Sequence, residues 1–385
     1  MAKPFRIVLA GQALIERAPS ENEFNQMSGI SSILSTAEFA FCDLEVAIKT
    51  SKNSFPTKDS VIHAAPVEIL DVLGSVGFNT LALANNHFAD LGPYAVVEGM
   101  QEIQARGFYC SGAGTTADTA RMPKRIDNFS FSVVLAMPKP IPGRALNLMS
   151  EYNIPARPGV NAISVQRNLR ASPEDFAALS RIVEVSGHSQ RIDREILTGR
   201  KMAHNADLLD FYGLPVHQGD STQEEAKLEE KERVTFIEMI EHEASAGFQS
   251  LVSIHYHDWE ADWSVPPIWL KDLAHDCVDA GAFAVVGHGP PTMSGFEIYN
   301  KSLIAYGLGN LIFHTHRFGG YASPTIWESA LMEVSFDENF SCTDVALHPI
   351  CINRDLDGRP GFPRLAGHDK AVEIIERIEE LNLRL

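Results

Sequence analysis

Long apolar runs are missing from this chain. None approaches the roughly eighteen residues that a membrane-crossing helix needs, and the apolar part of Met1-Ala-Lys-Pro-Phe-Arg-Ile-Val-Leu-Ala10 is too short for a secretory signal. The expectation is a soluble cytoplasmic protein with no membrane partner. Basic residues are scarce as well: 32 Lys and Arg stand against 50 Asp and Glu, a formal net charge of -18. A surface that tracks nucleic-acid phosphates needs clustered Lys and Arg, so nucleic acid is excluded as a partner. Cysteine is sparse and odd in number, and Cys42, Cys110, Cys277, Cys342 and Cys351 lie far apart, mostly in apolar runs. They read as reduced, buried thiols rather than a disulfide framework. Leu9-Ala-Gly11-Gln-Ala does not continue as a dinucleotide-binding glycine fingerprint, and no serine nucleophile elbow is present. A Rossmann-type dehydrogenase and a serine hydrolase of that type are thereby excluded. There is no internal repeat or low-complexity tract.

What the chain does have is Thr80-Leu-Ala-Leu-Ala84-Asn85-Asn86-His87, an apolar run that passes directly into two carboxamides and an imidazole. The run has the length and continuity of a strand buried on both faces, and open α/β sheets place their chemistry at the C-terminal ends of such strands. A carboxamide offers a neutral oxygen to a cation, and an imidazole beside it can act as acid, base or ligand.

Other strands end in the same way. Residues 5–10 lead to Gly11-Gln12, 39–42 to Asp43-Leu44-Glu45, 251–254 to His255-Tyr256-His257-Asp258, 283–286 to Gly287-His288-Gly289, and 308–313 to His314-Thr315-His316. Helical spacing marks 23–38, a helix opened by Pro66, 94–106, 222–246, 267–280 and a terminal amphipathic helix over 370–383. Residues 129–137, 327–336 and 345–352 read as further strands. Between 138 and 221 the periodicity fails apart from one helix capped by Ser172-Pro173, which reads as an insertion covering the site in a single domain spanning the chain. Ligand-type residues at so many strand ends are the pattern of a metallohydrolase, because a rigid sheet fixes each ligand in place.

In order, Gly11-Gln12, Asp43-Leu-Glu45, Ala84-Asn-Asn-His87, His255-x-His257, Gly287-His-Gly-Pro290 and Tyr306-Gly-Leu-Gly-Asn310 resemble the CapA family. That family is named for capsule and poly-gamma-glutamate synthesis and belongs to the calcineurin-like metallophosphoesterase superfamily. The resemblance implies an α/β fold, a four-layer αββα metallophosphoesterase-like sandwich with an inserted, lid-like segment. It also implies Glu45, Asn85, His255 and His288 as metal ligands, with His87 as the acid-base imidazole and Asn86 as the catalytic residue beside it. Asp43, His257, Asp258, His314 and His316 are further candidate ligands or supports for the ligands.

Two positions depart from the family pattern: Gln12 stands where an aspartate is usual and Pro291 where a second histidine is usual. Both missing residues would serve the same ion of a two-metal site, so the expectation is one divalent transition metal, Mn, Fe or Zn. The implied reaction is hydrolysis by metal-activated water. A single metal suits an acyl substrate (amide, lactone or ester) better than phosphoryl transfer, which profits from a two-metal clamp. The expected partner is a small-molecule substrate, with Arg157, Arg167 and Arg170 available to hold a carboxylate on it. The alternatives are a metallophosphoesterase, a protein of capsule or poly-gamma-glutamate assembly, and a non-catalytic pseudoenzyme that binds a ligand.

Overall fold

The computed structural model describes residues 4–50, 54–59, 61–202, 208–316, 321–354 and 358–385. They group into two compact units, one made of Met1–Ser164 with Glu230–Leu385 and the other of Val165–Glu229.

The larger unit is a metallophosphoesterase-like α/β sandwich built on two sheets. In the first, the strand Phe5–Leu14 runs parallel to Phe39–Leu44 and to Asn310–Phe313, and antiparallel to Glu328–Phe336. Thr80–Ala82 and Tyr109–Ser111 continue the parallel side. In the second sheet, Phe129–Pro138, Gln249–Tyr256, Ala282–His288 and Ser302–Ala305 follow one another in parallel. These strands are near-continuous apolar runs because both of their faces are covered. Aromatic rings join the two sheets: Phe5 meets Phe129 at 5.0 Å, Phe39 meets Phe129 at 4.9 Å and Phe41 meets Phe131 at 5.5 Å between centroids. Helices Glu230–Ser245 and Ile268–Asp279 cover Gln249–Tyr256 and Ala282–His288.

The register aligns the polar residues at one edge of each sheet. Gln12 pairs with Asp43 on one side and Asn310 on the other, Asp43 pairs with Ala82, and His255 pairs with His288. Ligand-type side chains from five strands are thus gathered where the parallel strands end. Close backbone approach makes this possible at Gly11, where an added Cβ would stand 2.1 Å from the carbonyl oxygen of Gly309. No rotamer relieves a clash with backbone. Gly11→Ala is therefore expected to lower stability by at least about 1–3 kcal/mol, read as a fall in the denaturant midpoint at unchanged m-value.

Several elements differ from the sequence reading. The expected helix over 23–38 is two helices, Glu21–Gln26 and Ser28–Leu34, the first opened by a capping box between Ser20 and Glu23. Pro66 ends a short strand, and its helix begins at Glu68. The expected helix over 222–246 is a strand, Gln223–Leu228, followed by the helix Glu230–Ser245. Cross-strand pairing overrides helical spacing in that first part: Val165 pairs with Leu228 and Arg170 with Gln223 in an antiparallel ladder.

The smaller unit owes its order to that ladder, with helices Pro173–Val185 and His188–Leu197 and strands Leu208–Phe211 and Leu214–Gln218. Its limits fall inside and beyond the irregular stretch 138–221, whose first part, with Arg157, belongs to the larger unit. The terminal helix spans His368–Asn382.

Candidate metal centre

Asp43 sits at the middle of the strand-end cluster and is fully buried. Its Oδ1 accepts 2.8 Å from Asn85 Nδ2, and its Oδ2 lies 2.5 Å from His255 Nδ1. A carboxylate only accepts, so the proton is on Nδ1 and the lone pair of His255 is on Nε2. That Nε2 is buried, has no partner, and lies 3.8 Å from Glu45 Oε1. This is the arrangement by which an outer carboxylate fixes the tautomer of a metal-binding imidazole. Burial alone would push the His255 imidazole down, but Asp43 and Glu45 together raise it. Burial pushes the Glu45 carboxyl up to about 8, with Asp43 adding to that and His255 opposing it.

The two carboxamides play different parts. Asn85 donates through Nδ2 to Asp43 and to the Leu44 carbonyl, and its Oδ1 accepts from the backbone N–H groups of His87 and Phe88 at 3.1 and 2.8 Å. Its oxygen is therefore committed to holding the loop. Asn86 Oδ1 is buried and unpartnered. Asn86 rather than Asn85 is thus the carboxamide with an oxygen free for a cation, because an oxygen already accepting two N–H groups has no lone pair left to offer.

His288 is 1% exposed, with both ring nitrogens unpartnered, and burial pushes its imidazole down to about 4. His257 also belongs here: its ring lies 5.9 Å from that of His255, and Glu45, His255 and His257 bring one donor atom each within 4.8 Å of one another. Burial, then the neighbouring His255 and His87, push the His257 imidazole down to about 3.

Together, Glu45 Oε2, Asn86 Oδ1, His255 Nε2 and both nitrogens of His288 are buried without hydrogen bonds. Each such atom costs about 1–3 kcal/mol when left unpaired, so the group is as expensive as a large part of a domain's net stability. A divalent transition metal fits this donor set, which combines imidazole nitrogens with carboxylate and carboxamide oxygens.

Gln12 does not belong to that set. Its Oε1 accepts from Gly289 N at 2.8 Å and its Nε2 donates to the Gly289 carbonyl and to Asn310 Oδ1. It ties the ends of the two sheets together where an aspartate would face an ion.

A cavity of about 260 Å³ opens beside the cluster, lined among others by Glu45, Lys58, His63, Asn86, His87 and His257. His87 Nδ1 lies 2.7 Å from Asp90 Oδ2 and 3.1 Å from Lys58 Nζ, so Nε2 is the atom left for the cavity. Burial pushes this imidazole down to about 4 against the pull of Asp90. Lys58 Nζ is 2.7 Å from Asp90 Oδ1, and the backbone N–H of His63 donates to Asp90 Oδ2. Sequence reasoning missed Lys58, His63 and Asp90. The only signal was Asp90 standing three residues after His87; Lys58 and His63 lie in a stretch without periodicity.

The remaining candidates lie elsewhere. Asp258 accepts from Trp269 Nε1 at 3.0 Å. Buried His314 accepts from Glu16 N through Nδ1 and meets the Gly361 carbonyl through Nε2, so both nitrogens are committed to structure. His316 is exposed and contacts Glu16. Arg157 donates twice to the Arg144 carbonyl, while Arg167 and Arg170 face Glu224 and Glu225 within the smaller unit. Lys58 is the cation that the structure puts in the cavity wall instead.

Known proteins give the comparison a name. The chain is 26% and 25% identical to two uncharacterized proteins, y4uA and y4sH, of Sinorhizobium fredii (strain NBRC 101917 / NGR234), over 98% of this chain and 89% of each relative. It is 37% identical to the capsule biosynthesis protein CapA of Bacillus anthracis over 67 residues, 17% of this chain and 16% of that one. The family model described as bacterial capsule synthesis protein PGA_cap matches residues 6–144 and 166–315, which include every strand end that carries the cluster; Glu328–Phe336 of the first sheet lies outside the match. The chain belongs to that family, the bacterial capsule synthesis proteins.

Proposed function

We propose that this chain is a metal-dependent hydrolase of a small acyl compound, an amide, lactone or ester. The observation that carries the reading is the cluster of Glu45, His255 and His257, whose donor atoms lie within 4.8 Å of one another beside a cavity of about 260 Å³, with His288 on the strand next to His255 and Asn86 in the cavity wall, both holding buried atoms without hydrogen bonds. Those four residues, with His257 as a further donor, would hold one Mn, Fe or Zn ion. When bound, the ion would supply Lewis-acid polarisation of the substrate and a water acidic enough to attack near neutral pH.

The chain's own residues do the rest. Asp43 orients His255, and Asn85 holds the loop that carries Asn86 and His87. His87, with Nδ1 held by Asp90, takes a proton at Nε2 and returns it to the leaving group, and the Asp90 carboxylate stabilises the imidazolium in between. Lys58, whose Nζ is held by Asp90, the Asn86 carbonyl and His87 Nδ1, braces the loop that carries His87 and offers the substrate its positive field rather than a free N–H. Gln12 is hydrogen-bonded on both ends of its amide, and Pro291 carries no ligand atom, which supports one ion in the centre and an acyl rather than a phosphoryl substrate.

The test is a hydrolysis screen over amides, lactones, esters and phosphoesters with metal-reconstituted wild type, His255→Ala and Asp90→Asn. An acyl substrate should emerge, with loss of metal in His255→Ala. In Asp90→Asn the metal should stay while kcat falls by about 10²–10⁴-fold. Hydrolysis confined to phosphoesters would overturn the acyl reading, and metal bound without any turnover would overturn the enzyme.

A further inference from the structure

A second cluster of ligating groups lies outside this centre, at the side of the same cavity. Glu16 follows the strand Phe5–Leu14, and His316 follows Asn310–Phe313; those strands are parallel neighbours with Leu14 opposite Phe313, so both side chains leave the sheet at the same level. His63 precedes the short strand Ala64–Pro66, with its backbone fixed from two sides: its N–H donates to Asp90 and its carbonyl accepts from Ala47 N. His63 Nδ1 is 2.6 Å from Glu16 Oε1, and His316 Nε2 is 2.9 Å from Glu16 Oε2. The two imidazoles stack at 5.3 Å, with 12° between their planes.

We propose that Glu16, His63 and His316 form a second divalent transition-metal site, of the His₂Glu type. Three donors of two imidazoles and a carboxylate, with a further position open, are the ligand set from which catalytic zinc sites are built. Their donor atoms all lie within 4.8 Å of one another. Around an ion with bonds of about 2.0–2.2 Å in a tetrahedron, the donors stand roughly 3.4 Å apart. The cluster therefore needs to open by less than about 1 Å.

The parts that must stay and the part that must move are distributed accordingly. The His63 side chain is 5% exposed and fixed, Glu16 is pinned at its backbone N–H by buried His314, and His316, 61% exposed, is free to swing. This also accounts for His314: it holds a ligand's backbone and ligates nothing. The site is separate from the centre proposed above, since none of its three residues is shared with it. His63 is what connects the two, because its ring meets that of His87 edge-on at 4.6 Å and it lines the cavity. An ion here would draw an anionic group of the substrate to the part of the cavity lined by His63.

Zinc and Co(II) are the probes. Metal-free full-length protein is titrated with Zn(II) by calorimetry, and Co(II) absorption reports coordination geometry, for wild type, Glu16→Gln, His316→Ala and His255→Ala. Wild type is expected to bind two equivalents. His316→Ala and Glu16→Gln each lose the same one, with affinity there down by at least about 100-fold, and His255→Ala loses the other. His316 is on the surface, so its variant tests the site without risk to folding. One equivalent that disappears in His255→Ala and persists unchanged in His316→Ala overturns this site and leaves the buried centre standing. One equivalent lost in His316→Ala but kept in His255→Ala establishes this site and overturns the buried centre. Absence of any binding overturns both.

Discussion

Asn85→Ala and Asn86→Ala, one residue apart, are expected to fail in opposite ways. Asn85→Ala removes four buried hydrogen bonds: two donated to Asp43 and the Leu44 carbonyl, and two accepted from the N–H groups of His87 and Phe88. Each buried group left without a partner costs about 1–3 kcal/mol, so a loss of roughly 3 kcal/mol or more is expected, enough to lower the melting temperature by several degrees or to prevent folding. Asn86→Ala removes an oxygen that has no partner in the protein, so the apo-protein should be at least as stable as wild type. Its cost should fall on the metal, with affinity down by at least about 10–100-fold and hydrolysis reduced in step. Calorimetric melting of the apo-proteins and a chelator competition separate the two. If Asn85→Ala melts like wild type and loses the metal while Asn86→Ala keeps it, the roles of the two carboxamides are reversed.

That pair also marks the boundary of what the sequence could tell. The strand ends were legible because strands covered on both faces must be continuous apolar runs, and polar residues at the ends of such runs stand out against them: Glu45 lies 3.8 Å from His255, and His255 pairs with His288 across neighbouring strands. Which of two adjacent carboxamides keeps its oxygen free was not legible. It depends on Asn85 turning back to accept from residues 87 and 88, a contact set by loop geometry. Lys58, His63 and Asp90 were invisible for a related reason. They meet because loop backbones are stitched together, Phe55 N to the Leu91 carbonyl and Thr57 N to that of Asp90, and no spacing rule encodes such pairing. The ladder of the smaller unit escaped because Gln223-Glu-Glu-Ala-Lys-Leu228 is charged enough to read as a solvated helix. Its strand conformation comes from the antiparallel backbone ladder with residues 165–170, to which the Arg167–Glu224 and Arg170–Glu225 contacts add little.

Asp43→Asn should be the most damaging conservative change in the centre. The carboxylate serves two buried donors, His255 Nδ1–H and Asn85 Nδ2, and an ionised carboxyl can accept from both. A carboxamide in the same place has one oxygen and one NH₂ group. If the oxygen faces His255, the NH₂ confronts Asn85 Nδ2, donor against donor. If it is turned the other way, His255 loses its acceptor and the imidazole is free to shift its proton to Nε2, the atom that should bind the metal. Breaking a buried pair by changing one member costs on the order of 3–5 kcal/mol, so the melting temperature should fall. Loss of the orienting carboxylate should weaken metal binding by about 10–100-fold beyond the effect on folding. Measuring both keeps the two apart, because Gly11→Ala, which strains the end of the neighbouring strand Phe5–Leu14 without touching His255, should lower stability while leaving metal affinity within a few-fold of wild type. Equal metal affinity in Asp43→Asn and wild type would mean that His255 is not held for an ion by Asp43, and the centre would have to be sought in Glu45 and His257 with His288.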